Sequence, residues 1–172
     1  MRGVVRLGVL GWLVLSACGY SVVRYSGALG EVRSVAVETP ANDSTEAGAE
    51  FLVADALRRE FLHRGAVRLV EDPAAADLVL GGRVLAVRAH GQSFTSTVRT
   101  LEYEVTLALA LKATLQDGSE IPLDIRSLRE TERYLASADA EALRKNREEA
   151  LRRLAQLLAG RVYDALYATL TP

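Results

Sequence analysis

Between Leu101 and Lys112 the chain alternates without a break: Leu101, Tyr103, Val105, Leu107, Leu109 and Leu111 are large and apolar, while Glu102, Glu104, Thr106, Ala108, Ala110 and Lys112 are polar or small. Successive side chains of a strand point to opposite faces, so strict period-two order over twelve residues demands a β-strand with one covered face. A strand of that length needs neighbours and a second layer to cover it. Gln116-Asp117-Gly118-Ser119 follows as a tight-turn signal, and Ile121, Leu123 and Ile125 resume the alternation, which predicts a hairpin.

The covering layer is legible on either side of these strands. After Tyr134 the apolar period becomes helical, with Leu143, Ala150, Leu151, Leu154, Leu157, Leu158, Val162, Ala165 and Leu166 on one stripe and Arg144, Arg147, Glu148 and Arg152 off it. Ser137 or Asp139 can cap this helix. Upstream, Val32 to Glu38 has the β-branched content of a strand, stopped by Thr39-Pro40. Asn42-Asp43-Ser44-Thr45 then offers capping side chains to a helix expected from about Glu46 to Arg64, ended by Gly65 and with Phe51, Ala54, Leu57, Phe61 and Leu62 as its core stripe. Ala66 to Val70 reads as a short extended segment and Asp77 to Val87 as a strand, whose paired Gly81-Gly82 points to a bulge or a close backbone approach. The order β-α-β-β-β-α predicts an α+β two-layer sandwich, with two helices packed on one face of a mostly antiparallel sheet.

The amino terminus follows a different logic. Arg2 and Arg6 precede an apolar stretch from Leu7 to Leu15, then the small residues Ser16 and Ala17, then Cys18, the only cysteine of the chain. This is the pattern of a bacterial lipoprotein signal, with residues 1–17 removed and lipid attached to Cys18. Leu7 to Ala17 is too short for a membrane span, which takes roughly 20 apolar residues. Residues 18–30, interrupted by Gly27 and Gly30, are expected to form a tether, and residues 31–172 a single domain. A lone cysteine leaves no internal disulfide, so the core alone must hold the fold.

Charge and motifs narrow the function. Removing Arg2 and Arg6 takes 21 basic residues to 19 against 22 acidic ones, a net charge of −3, unlike the basic surface of a nucleic-acid binder. His63 and His90 have no histidine or cysteine partner at metal-ligand spacing. Ser93, Thr95 and Ser96 lack a nucleophile-elbow context, and Gly81-Gly82 lacks the surroundings of a phosphate loop. Tyr163 and Tyr167, four residues apart, read as the edge of the core. No catalytic residue, metal or cofactor is expected.

The sequence resembles the lipopolysaccharide-assembly lipoprotein family LptE over nearly its whole length. The resemblance rests on Cys18-Gly19-Tyr20 at the processing site and on Ser34-Val35-Ala36-Val37 leading to Pro40-Ala41-Asn42-Asp43-Ser44-Thr45 and a helix. It rests also on Ala75-Ala76-Asp77-Leu78-Val79-Leu80-Gly81-Gly82-Arg83-Val84, on the alternating strand through Tyr103-Glu104-Val105, and on the closing amphipathic helix. The resemblance implies a non-catalytic lipoprotein that plugs the outer-membrane barrel LptD in a one-to-one complex, helps it assemble and contacts lipopolysaccharide (LPS). It implies the outer membrane as location, and Gly19 after the cysteine, in place of an acidic retention residue, agrees with export there.

Two features bear on contacts. The face carrying Thr106, Ala108 and Ala110 is neither strongly polar nor large, which suits a contact surface and equally a mildly apolar solvent face. Arg83, Arg88, Arg99, Arg126 and Arg129, near strand ends, can meet phosphates through paired hydrogen bonds. Arg88 and Arg99 are the favoured pair because they bracket the polar Gly91 to Ser96 segment, read as a loop. A rival reading is an outer-membrane lipoprotein that regulates a periplasmic cell-wall synthase. Reaching inward would take a long linker after Cys18, whereas only about a dozen residues precede the first strand. A lipid carrier would need an enclosed apolar cavity.

Overall fold

A computed structural model describes residues 29–94, 100–124 and 128–171. Cys18, Arg99 and Arg126 lie outside the described residues, as does most of the expected tether. The elements run β1 (Ser34–Val37), β2 (Ala41–Asn42), α1 (Ala49–Arg64), β3 (Arg68–Val70), a 3-10 turn (Pro73–Ala75), β4 (Leu78–Phe94), β5 (Thr100–Leu115), β6 (Glu120–Ile121), β7 (Arg129–Leu135) and α2 (Ala140–Leu170). They form the two-layer α+β sandwich expected from the sequence. One open sheet has the order β3-β1-β4-β5-β6, with β2 beside β4 and β7 beside β5. β1 pairs in parallel with β3 and β4, and β2 in parallel with β4, whereas β4–β5, β5–β6 and β5–β7 are antiparallel.

The long hairpin is β4–β5, registered from Leu78↔Leu115 to Phe94↔Thr100. This corrects two expectations. Gly91 to Phe94 is strand rather than loop. The Asp117-Gly118 turn is real, with Gly118 at φ 84° and Asp117 accepting from the Ser119 amide, but it returns only the two-residue β6, and Leu123 is not in a strand. The alternation of β5 holds as read: Val105, Leu107, Leu109, Leu111 and Ala113 are buried beneath the helices. Gly82 provides the close approach, because at φ 145° an added Cβ would lie 2.2 Å from the Ala110 carbonyl oxygen of β5. The bulge falls later, between Val84 and Ala86, and leaves Leu85 as the extra, exposed residue.

α2 obeys its start signal, and α1 obeys its stop signal but not its start. α2 starts at Asp139, whose carboxylate accepts from the amides of Glu141 and Ala142. Gly65 closes α1 in the left-handed conformation and donates its N–H to the Phe61 carbonyl. The start of α1 differs from expectation, at Ala49 behind a left-handed Gly48 with no side-chain cap. Asn42 instead stitches the preceding loop: its Oδ1 accepts from the Ser44 amide and hydroxyl, and its Nδ2 donates to the Glu46 carbonyl. The buried stripe of α1 is Ala49, Val53, Ala54, Ala56, Leu57 and Phe61, and the expected core members Phe51 and Leu62 are each 65% exposed. Small residues bring this helix close to the sheet and to α2, and Phe61 meets Tyr163 edge-on at 5.4 Å. Tyr163 is fully buried and Tyr167 packs partly buried against the core, so both belong to it.

Asp77 ties three strands together. Its Oδ2 accepts from the Arg33 and Ser34 amides and from the Ser34 hydroxyl, each at 2.9 Å, which clamps the start of β1 to the start of β4. Its carbonyl accepts from the Gln116 amide beyond β5. The Arg33 amide, then the Ser34 hydroxyl, hold the Asp77 carboxyl below its ordinary range.

Replacing Phe61 by Ala should destabilise the domain by about 3–5 kcal/mol in urea denaturation. Replacing the exposed Phe51 by Ala should change stability by no more than ~0.5 kcal/mol. A carboxyl with a depressed native pKa stabilises above its unfolded pKa and loses that contribution as the pH falls through the native one. Asp77→Asn should therefore be less stable than the parent at pH 7, and the two unfolding curves should converge as the pH is taken below about 4.

Candidate functional site

The sheet has two faces with different fates. Along β5, Val105, Leu107, Leu109 and Leu111 point to the helices, so Glu104, Thr106, Ala108, Ala110 and Lys112 point away from them. Register assigns their neighbours. Thr106 lies between Arg88 of β4 and Thr131 of β7, and Ala108 between Ala86 and Arg129. Ala110 lies beside Arg83, and Glu104 between His90 and Arg133. The helix-free face is thus a strip of Ala and Thr flanked by arginines. Thr106 is buried at 6% exposure and shares a 2.9 Å hydroxyl contact with Thr131.

The bulge at Leu85 decides which arginines stand here. Without the extra residue, alternation from the inward Val84 would turn Val87 outward and Arg88 into the core. With it, Val87 is buried and Arg88 is exposed. Of the arginines expected from the sequence, Arg83, Arg88 and Arg129 come together on this face. Arg83 is already engaged: its Nε and Nη2 donate to Asp43 at 2.5 and 2.6 Å. That bond holds the Asp43 carboxyl below its ordinary range. Arg88 and Arg129 are exposed and carry no ion pair among the described residues. They lie two strands apart, about 10 Å across the sheet. Arg133, which sequence reasoning missed, is a third exposed arginine without such a partner. Its place beside Glu104 is visible only once the β5–β7 register is known.

On the other face carboxylates and arginines pair with one another. Glu132 and Glu130 of β7 point towards α2 and pair with Arg153 and Arg161. Arg64 lies 4.8 Å from the Tyr163 ring centroid and bonds Glu60 and Asp164. Burial pushes the Tyr163 hydroxyl above its usual pKa. Among the described residues no cluster of histidine, cysteine and carboxylate groups could hold a metal ion. His63 is exposed in the last turn of α1, and His90 stands 3.5 Å from Glu104. Among the described residues no helix is long and apolar enough to cross a membrane.

Comparison with known proteins agrees with this architecture. The family model of LptE, lipopolysaccharide-assembly, matches residues 32–166. The fold is similar to that of rare lipoprotein B from Shewanella oneidensis, with 15% identity, a TM-score of 0.55 and coverage of 80% of this chain and 96% of that one. It is similar to an uncharacterized lipoprotein B from Nitrosomonas europaea, with 13% identity, a TM-score of 0.50 and coverage of 88% and 90%. A hypothetical protein from Chlamydia trachomatis shares it too, with 10% identity, a TM-score of 0.55 and coverage of 79% and 98%. No curated protein matches the sequence significantly. These likenesses establish the fold, and the match across most of the chain establishes more: this protein belongs to LptE, the lipopolysaccharide-assembly family of non-catalytic outer-membrane lipoproteins.

Proposed function

We propose that the protein is the lipid-anchored plug of an outer-membrane LPS translocon. In this reading residues 1–17 are removed, Cys18 is acylated and residues 18–30 tether the domain. Acyl chains contribute about 0.8 kcal/mol per buried methylene, so several of them hold the protein at the membrane. The domain sits one-to-one within an LptD-like β-barrel, assists its assembly and contacts LPS on its way to the outer leaflet.

The observation that carries the reading is the pair of exposed arginines, Arg88 and Arg129, on the helix-free face, with no carboxylate to satisfy them among the described residues. Guanidinium groups beside a flat Ala and Thr strip suit the phosphates of lipid A and the inner core, which accept two parallel hydrogen bonds from one arginine. Arg99 and Arg126 belong to the same proposed set by sequence position. Arg83 would first have to leave Asp43, which ranks it below the other two.

Affinity purification of the lipidated protein in mild detergent should recover a large β-barrel at near-equal amounts. Recovery of a cell-wall synthase instead, or of no barrel, would overturn the reading. Mass spectrometry of the mature amino terminus should find acylated Cys18. Arg88→Ala with Arg129→Ala should weaken LPS binding by about tenfold or more, as expected for loss of charge-assisted bonds, and unfolding in urea should be unchanged. Equal binding by parent and double variant would remove this face from the LPS path.

A further inference from the structure

Most free edges of the sheet are blunted. β3 and β6 offer only three and two residues. β7 is longer, but four of its seven residues are charged, the Asn146 side chain donates to the Leu135 carbonyl at 3.0 Å, and the Glu130 carboxylate accepts from the Thr131 amide at 3.4 Å. Short or charged edges resist pairing with another chain. The outer side of β4 is different. β1 and β2 cover it as far as Val84, and among the described residues no strand pairs with it from Leu85 to Phe94. Arg88, Ala89 and His90 are exposed there, and no proline or lysine interrupts the stretch.

Register shows which main-chain groups face outward. The Leu101 carbonyl of β5 accepts from the Ala136 amide beyond β7, so Tyr103, Val105 and Leu107, at even steps along β5, also turn their backbone groups away from β4. Residues directly opposite in such pairs turn theirs away as well, and these are Gly91, Ala89 and Val87. Each therefore presents an N–H and a C=O at the outer edge, with no ladder partner among the described residues. The bulge at Leu85 sets this phase, because before it the Leu80 and Val84 carbonyls face outward and accept from the Glu38 and Asp43 amides.

Charge selects among the chains that could pair here. Arg88 stands on the open face in the middle of this edge, exposed and with no ion pair among the described residues. A strand laid along the edge places one side chain about 5 Å from it, where opposite charges attract and like charges repel. A carboxylate there engages one forked edge of the guanidinium and leaves other N–H groups for a phosphate. This chain cannot supply that carboxylate from its own candidates. Residues 85–94 contain no Asp or Glu, so a second copy paired edge to edge would bring only arginine and histidine, and residues 18–28 contain Arg24 and no acid.

We propose that the outer edge of β4 from Leu85 to Gly91 is a strand-addition site for an extended segment of a partner polypeptide that carries an acidic residue beside Arg88. Main-chain bonds to Val87, Ala89 and Gly91 hold such a segment, and the acid fixes its register. The edge lies in the plane of the sheet, so the site does not rest on LPS contacting the open face.

The test uses the lipidated protein in mild detergent and two nine-residue peptides of alternating Thr and Val, one with a central Glu and one with a central Lys. In the free protein, hydrogen exchange followed by NMR should be fast at the Val87, Ala89 and Gly91 amides and slow at Ala86, Arg88 and His90. The Glu peptide should protect the first three saturably and bind about fivefold more tightly than the Lys peptide, as expected for one cross-strand charge pair. Ala89→Pro removes an outward N–H and leaves the β4–β5 bonds in place, so it should abolish binding with an unchanged urea midpoint. Arg88→Glu should reverse the preference between the peptides, a readout that does not depend on the proline variant folding. Slow exchange of the three amides in the free protein, protection that grows with protein concentration without peptide, or equal binding of the two peptides would overturn the proposal.

Discussion

The β4–β5 ladder is the constraint on which the rest of the structure depends. It runs the length of the sheet, and every other strand attaches to it directly or through one neighbour: β1 and β2 on the outer side of β4, β6 and β7 on the outer side of β5, and β3 beyond β1. Its side chains divide the molecule into a helix-covered face and an open one. Gly82 lets the two long strands approach, Asp77 fastens the ladder to β1, and the bulge at Leu85 reverses the facing of the distal half of β4. A single extra residue therefore separates a buried Val87 from an exposed Arg88.

That division explains which parts of the fold were legible in the sequence. β5 alternates strictly because it has one covered face, and beyond Ala150 the stripe of α2 follows its contact face except at Leu157, which was expected in the core and is 49% exposed. α1 misled because large residues drew the eye. Phe51 and Leu62 satisfy helical spacing, yet the contact face is built from Ala49, Val53, Ala56 and Leu57, where small side chains permit close packing. The Asn42 to Thr45 cluster has the chemistry of a cap, and tertiary context spends it on the loop instead. The end of β4 looked like a loop because Gly91, Gln92 and Ser93 are polar or small, and only pairing with β5 makes it a strand.

The open face was harder to read for the same reason. Its residues come from three strands, and only register places Arg88, Thr106 and Thr131 in one row, or Arg129 beside Ala108. Sequence could name arginines but not tell that Arg83 is consumed by Asp43 while Arg88 and Arg129 keep their hydrogen-bonding capacity. Arg133 passed unnoticed because in a linear reading it is one more charge in an alternating, charged strand. The two sides of the sandwich thus differ in chemistry: the open face presents exposed arginines beside small residues, and on the helix side the arginines are paired with carboxylates.

The central claim is that the helix-free face meets LPS inside the barrel partner. A photoreactive residue placed at Ala108 in the lipidated protein, and in a control at the exposed Asp55 of α1, would test it most directly in native outer membranes. The account predicts LPS adducts from position 108, with position 55 giving none. LPS adducts from position 55 alone would contradict it and move the ligand path to the helices.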